Sequence, residues 1–172
     1  MSKLRAYISS SMTGRSGTDL VKQAALIQNL GRHYGVEILD PIVEEGVEES
    51  HVLLANNLDT LRKFFSRDKE MIRKAHILID ITADRKSFGT EYEIGYARYH
   101  LHRPCIRVHP NLAHSVAVIE SDVICRDVET AFRTAVMLFG SPFQRLLWAI
   151  HIAKHSWWRL ILVRLSIFWW WI

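Results

Sequence analysis

The sequence has only two cysteines in 172 residues, Cys105 and Cys125, and they form no metal-ligand pattern. None of the nine histidines joins them at zinc spacing, so a metal-free site without a cofactor is expected. No signal-peptide pattern precedes the first strand-like run, which makes a reducing cytosol the expected setting. Internal repeats and low-complexity linkers are absent as well. Acidic residues are missing altogether from Ser141 onward, where the basic residues are Arg145, Lys154, Arg159 and Arg164. The formal net charge of +4 therefore lies in the tail, while residues 1–140 balance 18 basic against 18 acidic side chains. That balance removes the basic pI as an argument for a nucleic-acid partner. Tryptophan is also absent before residue 148, and all six tryptophans lie in the tail. The length fits one domain with a sizeable core, so the division expected is a domain over residues 1–140 and a separate tail over 141–172.

Within the first part, strand and helix patterns alternate. Leu4 to Ser9 reads as a strand, followed by the small-residue loop from Ser9 to Gly17. Asp19 to Tyr34 has apolar residues at the period of a one-sided helix. Val36 to Leu39 reads as a second strand, stopped by Asp40-Pro41. The acidic loop Glu44 to Glu49, read as a solvated surface, leads into a helix from about Val52 to Phe65, and another runs from Asp68 to Ala75. An almost continuous apolar strand follows at 76–81, then a glycine-led helix at 89–101 and a strand from Cys105 to Val108. A short strand near Val123 to Cys125 and a helix at about Glu129 to Phe139 complete the series. This alternation predicts a doubly wound α/β fold with a mostly parallel five-stranded sheet, Rossmann- or flavodoxin-like, with an added C-terminal helix.

The most informative stretch is Ser87-Phe88-Gly89-Thr90-Glu91-Tyr92-Glu93-Ile94-Gly95-Tyr96-Ala97. It places a small polar loop and two glutamates where a helix starts, just beyond a buried strand. A helix there points its free N–H groups at the crevice in which open α/β sheets bind ligands. Gly89 lets backbone approach a ligand, and Ser87 and Thr90 add hydroxyl donors. The same residues also serve as plain capping chemistry. Glu91 is expected to face solvent, and Asp80 and Asp84 to cap the strand end and the loop. Tyr92 and Tyr96 suit core packing or base stacking equally. The loop after strand one, the Asp68 region and the Ser87–Glu93 turn all end at one sheet edge. Two carboxylates facing one crevice are the minimum equipment for retaining cleavage of a glycosidic bond, in which one attacks the anomeric carbon and the other donates a proton.

On these residues the chain resembles the nucleoside 2-deoxyribosyltransferase family, and within it the deoxynucleoside 5′-monophosphate N-glycosidases. The matching segments are Ala6-Tyr7-Ile8-Ser9-Ser10-Ser11-Met12-Thr13-Gly14-Arg15, then Arg67-Asp68-Lys69-Glu70-Met71-Ile72, then Ser87-x-Gly-x-x-Tyr-Glu-x-Gly-x-Ala. The resemblance runs from about residue 4 to residue 126 and stops short of the tail. It implies Glu93 as the nucleophile that forms a glycosyl-enzyme intermediate, Asp68 as the group assisting base departure, and Tyr7 as the residue orienting nucleophile or sugar. Ser10, Ser11, Gly14, Arg15, Ser87 and Gly89 are implied in binding substrate or phosphate. Where the family's nucleoside transferases have an aspartate, this chain has Ser87, which suits a 5′-phosphate. Ser115 resembles a serine that the monophosphate glycosidases supply from a neighbouring subunit, so a homodimer or higher homo-oligomer is implied. Where those hydrolases carry arginine in the first loop, this chain has Met12-Thr13, with Arg15 two positions later. The implied function is hydrolysis of the N-glycosidic bond of a (deoxy)nucleoside 5′-monophosphate, with base exchange as the enzymatic alternative. A non-catalytic nucleotide-binding sensor, its tail responding to ligand, is the alternative of a different class.

Phe143 to Ile172 is apolar with interspersed bases, of which Arg145, His151, Lys154, His155 and Arg159 share about half of a helical wheel. Leu160 to Ile172 is shorter than the ~20 apolar residues of a spanning helix. Three readings stand: a basic amphipathic helix in a membrane interface, a helix packed on a subunit interface, or a short, tilted membrane span.

Overall fold

The computed structural model describes residues 3–11, 15–43, 58–82, 88–110, 121–148 and 150. Its sheet has five strands in the order β2-β1-β3-β4-β5, all parallel: β1 Leu4–Ser9, β2 Val36–Leu39, β3 Ile77–Asp80, β4 Cys105–Val108 and β5 Val123–Cys125. The four central residues of β3 and of β4 are buried throughout, as expected of strands covered on both faces.

Alternation along β1 divides the core. Leu4, Ala6 and Ile8 pack with Ile27 of helix α1 (Gly17–Tyr34) and with Phe132, Ala135 and Phe139 of helix α4 (Val128–Phe139). Tyr7 points the other way, into a cluster with Met71 and Ile72 of helix α2 (Leu58–Lys74) and Ile94 of helix α3 (Phe88–Gly95). Because β2 and β3 flank β1 on opposite sides, the chain changes direction at β1. The C-terminal ends of β1 and β3 therefore border the crevice of a doubly wound sheet. The pairing extends to that edge, where Ile81 N donates to Ser9 O at 2.9 Å.

Local chemistry sets the helix bounds. Ser16 Oγ accepts from Asp19 N at 3.1 Å to start α1, and Gly35 at φ 69° ends it in the left-handed conformation. The two helices expected around residues 52–65 and 68–75 are corrected to one, α2, which runs unbroken through Ser66 and Arg67. No glycine or proline interrupts it, and Glu70 pairs along the same helix with Arg73 and Lys74 at 3.5 and 3.7 Å. The acidic loop, Asp84 and the start of the expected helix at 52 lie outside the described residues. The helix expected at 89–101 instead ends as α-helix at Gly95 and widens into a π turn over Tyr96–His100, where Leu101 N reaches Tyr96 O at 3.2 Å. Beyond α4, residues 142–148 are helical, and the Trp148 ring meets Phe139 edge-on at 5.3 Å, against the core. No helix among the described residues is long and apolar enough to cross a membrane.

Gly31 is the point of closest approach between α1 and β2. A Cβ there would overlap Ile38 Cγ1 and stand 3.1 Å from the Val36 carbonyl oxygen. Gly31→Ala should therefore destabilise the fold by about 1–3 kcal/mol, the usual range for overpacking. Thermal unfolding of the two proteins measures this, and an unchanged or raised melting temperature would contradict the packing described.

Candidate active site

The site is built where β1 ends. Tyr7 and Ser9 are two residues apart on that strand, so both side chains leave the same face of the sheet. Above that face lies α3, whose Glu93 takes a hydrogen bond at each carboxylate oxygen. Tyr7 Oη donates to Oε1 at 2.9 Å, and Ser9 Oγ donates to Oε2. Two positions earlier on the helix, Glu91 projects to the opposite side and accepts from Arg107 Nη2 at 2.9 Å. Glu91 is exposed, as expected, and is also tied to a strand arginine. Arg107 also donates through Nε to Asp80 Oδ2 at 2.5 Å, and Asp80 Oδ1 accepts from Thr82 N at 2.9 Å. Asp80 accordingly caps the strand end, as its sequence position implied.

Burial dominates the electrostatics. Glu93 is pushed up to about 8 by desolvation, with the charges of Asp68 and Asp80 adding to the rise and the bonds from Ser9 and Tyr7 opposing it. Asp68, on α2, is pushed up to about 6 by burial against the pull of Arg67, and its Oδ1 is buried with no hydrogen-bond partner. The Tyr7 phenol is held far above its ordinary range by burial and then by the charges of Glu93 and Asp68. Tyr7, Asp68 and Glu93 thus form one electrostatic unit.

Of the expected binding residues, Ser11 is buried with Oγ unpartnered, Ser10 is half-exposed beyond the strand end, and Gly89 sits in the first turn of α3. Beside Gly89, Thr90 Oγ1 lies 3.2 Å from Thr82 Oγ1. Arg15 is placed differently. Its guanidinium is bonded to Gln23 Oε1 and, at 3.5 Å, to Asp19 O of α1, on the face of the sheet away from Glu93. There it lines an open depression of about 410 Å³ together with Lys22, Leu26, Ile81 and Val128. Gly14, Ser87 and Ser115 lie outside the described residues. Tyr92 and Tyr96 stack in parallel with centroids 6.3 Å apart, and Lys69 Nζ stands 5.5 and 5.6 Å from the two rings. Tyr96 packs against the core beneath, while Tyr92 is exposed and meets Phe65 edge-on.

Two residues escaped the sequence reading. Ser9, read as the strand end and loop start with no role of its own, shares a face with Tyr7 through its spacing of two in the strand. Asp40 was seen as a strand stop. It is buried, its Oδ1 accepts from Ile42 N at 3.0 Å, and its Oδ2 has no partner. Burial raises it to about 6, and its charge acts on Tyr7. No signal in the sequence distinguishes it from an ordinary turn aspartate. Among the described residues no cluster of histidine, cysteine, aspartate and glutamate is placed to hold a metal ion.

No protein-family model matches the chain, and no curated protein sequence matches it. Among solved structures it is similar to a 2-deoxyribosyltransferase of Bacillus psychrosaccharolyticus, described as a biocatalyst for the synthesis of antiviral and antitumoral nucleosides. That likeness has 19% identity and a TM-score of 0.55, over 72% of this chain and 86% of the other. It is also similar to a CMP N-glycosidase of Clostridium botulinum, at 17% identity and a TM-score of 0.45, over 78% of this chain and 99% of that one. The first likeness establishes a shared doubly wound α/β fold.

A glutamate with a raised pKa stabilises the fold while protonated and loses that contribution as pH rises from the ordinary value of 4.5 to the folded value of about 8. The loss amounts to at most about 1.4 kcal/mol per pH unit. Glu93→Gln removes this ionisation, so its melting temperature relative to the parent should climb from pH 5 to about pH 8 and level off above that. A difference that stays flat across that range would mean that Glu93 is not desolvated.

Proposed function

We propose that the protein is an enzyme that cleaves the N-glycosidic bond of a (deoxy)nucleoside 5′-monophosphate through a glycosyl–Glu93 intermediate, releasing free base. The observation that carries this reading is the Glu93 carboxylate held by Tyr7 and Ser9 at the crevice edge, with Asp68 electrostatically coupled to it. A glutamate Oε attacks C1′ as the C1′–N bond breaks, the bonding pair leaves with the base, and Asp68 supplies the proton the base takes up. Water then adds to C1′ as the C1′–Oε bond breaks, returning a proton to Asp68, freeing the Glu93 carboxylate and leaving the sugar 5′-phosphate. Tyr7 and Ser9 aim the attacking carboxylate and favour its ionised form.

The proton inventory fits this scheme. Between about pH 6 and about pH 8 the Asp68–Glu93 pair holds a single proton. In the empty site that proton rests on Glu93, the more strongly desolvated of the two. Positive charge developing at C1′ favours the ionised glutamate and moves the proton to Asp68. Ser87, which precedes α3 in the sequence, and Gly89 in the first turn of α3 suit the 5′-phosphate. Base exchange differs only in whether a second base, rather than water, resolves the intermediate. The shared fold favours keeping that reading, since the 2-deoxyribosyltransferase carries it. For the tail we propose peripheral contact with anionic membrane by residues 151–172, and for the whole protein a homo-oligomer.

Base release from a deoxynucleoside 5′-monophosphate, followed by chromatography, should give a bell-shaped kcat/KM profile with limbs near pH 6 and pH 8. Glu93→Gln should lower turnover by roughly a thousandfold or more, and near-normal release by that variant would sink the mechanism. Ser87→Asp should raise KM for monophosphates far more than for nucleosides, and equal effects would detach the position from phosphate. Adding a second free base to the same assay separates exchange from hydrolysis.

The tail is tested by truncation after Ile150, which leaves Trp148 on the core. The shortened protein should keep its activity and lose salt-sensitive sedimentation with anionic vesicles, each tail base contributing about 1 kcal/mol near such a surface. If the full chain ignores vesicles and truncation dissociates an oligomer, the tail is an assembly element instead.

A further inference from the structure

At the edge of the sheet opposite Glu93, three strand beginnings bring Arg5, His76 and Arg103 together. His76 N donates to Arg5 O at 2.8 Å, and Leu78 N donates to Pro104 O at 2.9 Å, so the three segments are adjacent there. Arg5 N lies 3.0 Å from His76 Nδ1, and Arg5 Nη2 lies 3.3 Å from His76 Nε2. A backbone amide can only donate, so Nδ1 is the acceptor and Nε2 of the neutral ring carries the hydrogen. A guanidinium has no lone pair to offer. Two N–H donors therefore face each other with no acceptor between them.

Arg103 adds a third donor. Its Nη2 reaches Arg73 O at the end of α2 at 3.4 Å, but its Nε is buried without a partner. Arg145 Nη1 reaches Phe139 O at the end of α4 at 3.5 Å, and its charge also acts on His76. Burial first, and then the charges of Arg145, Arg5 and Arg103, push His76 down to about 4. Capping of helix C-termini accounts for one N–H each of Arg103 and Arg145. It does not account for the facing donors of Arg5 and His76 or for Arg103 Nε. The end of α2 supplies about half a negative charge, against the two guanidinium charges of Arg5 and Arg103. The nearby carboxylates are Glu37, exposed and beside Arg5 in the β1–β2 register, Glu70, engaged by Arg73 and Lys74, and Asp122, which pairs with Arg98 at 3.3 Å and accepts from Cys105 N at 2.7 Å. Among the described residues no carboxylate forms an ion pair with Arg5 or Arg103.

We propose that this edge is a binding site for a phosphoryl anion, held by Arg5, His76 and Arg103 and separate from the crevice at Glu93. A tetrahedral oxyanion presents several acceptor oxygens, so one can take both facing N–H groups while another meets Arg103 Nε. The same chemistry is offered by inorganic phosphate or a soluble phosphoester and by the headgroup of an anionic lipid. The site stands independently of the catalytic reading.

The test follows the His76 ring C–H resonances of the full-length protein by NMR, assigned with His76→Asn, as inorganic phosphate is added. Bound phosphate offsets the surrounding guanidinium charges, so the His76 pKa should rise by about one unit or more. Arg103→Gln should weaken the response about tenfold or more through loss of a charge-assisted contact, and Arg103→Lys should fall between the two. Base release should be unchanged in both variants, and Ser87→Asp should leave the His76 response intact. A second arm replaces phosphate with vesicles of phosphatidylcholine with or without phosphatidic acid. A response to phosphate alone identifies a soluble ligand, and a response to phosphatidic acid alone identifies a lipid headgroup. If neither moves His76, or if both arginine variants respond like the parent, the proposal is overturned.

Discussion

The site depends on one ion-paired arginine. Arg107 lies buried on β4 among apolar neighbours and bonds Asp80 at the end of β3 and Glu91 on α3. Burial alone would lower its pKa, but the bond and charge of Asp80, followed by Glu91, raise it instead. The guanidinium is therefore permanently charged and obliged to keep its partners, since stripping one from a buried pair costs about 3–5 kcal/mol. The consequence is geometric. Glu91 and Glu93 leave α3 on nearly opposite sides, so anchoring Glu91 to β4 fixes the helix rotation that delivers Glu93 to Tyr7 and Ser9 on β1. The helix is moored across β3 by one carboxylate so that the other can be held ready.

Around that mooring, solvation and chemistry pull in opposite directions. Three carboxyls, Glu93, Asp68 and Asp40, surround the buried Tyr7 ring, and each is raised by loss of water. Unmet oxygens remain on Asp68, Asp40 and Ser11. A core selected for stability alone would have filled these positions with apolar side chains. Clustered perturbed carboxyls at the edge where a doubly wound sheet opens are the physical signature of a site built to engage a ligand. The opposite edge of the sheet has the reverse imbalance, with donors in excess and acceptors missing.

Much of this was legible in the chain because its strands are dense and its punctuation is plain. The apolar runs of β1, β3 and β4 could hardly pack except as covered parallel strands, and alternation with amphipathic helices then dictated the winding. Tyr7, Asp68 and Glu93 were visible through their segments, and the structure links Tyr7 directly to Glu93 and couples both to Asp68. What stayed hidden depended on partners distant in sequence. The role of Glu91 is invisible without Arg107, which reads as a minor irregularity in a strand. Asp40 looks like any aspartate before proline until burial is known. Arg15 was implied in binding substrate or phosphate, but its guanidinium bonds Gln23 and the Asp19 carbonyl of α1, the helix that begins just after it. The break expected within α2 arose from two short amphipathic stretches, whereas nothing in the backbone chemistry of Ser66 or Arg67 stops a helix.

The segregation of aromatic residues has an optical consequence. Every tryptophan lies at or beyond residue 148, while the tyrosines include Tyr7 beside Glu93 and the stacked pair of Tyr92 and Tyr96. Selective excitation of indole therefore reports on residues from 148 onward, Trp148 against Phe139 included, and tyrosine emission reports on residues 7 to 99. The two intrinsic fluorophore sets thus divide along the sequence at residue 148, so indole excited on its own reports on the last part of the chain without labelling.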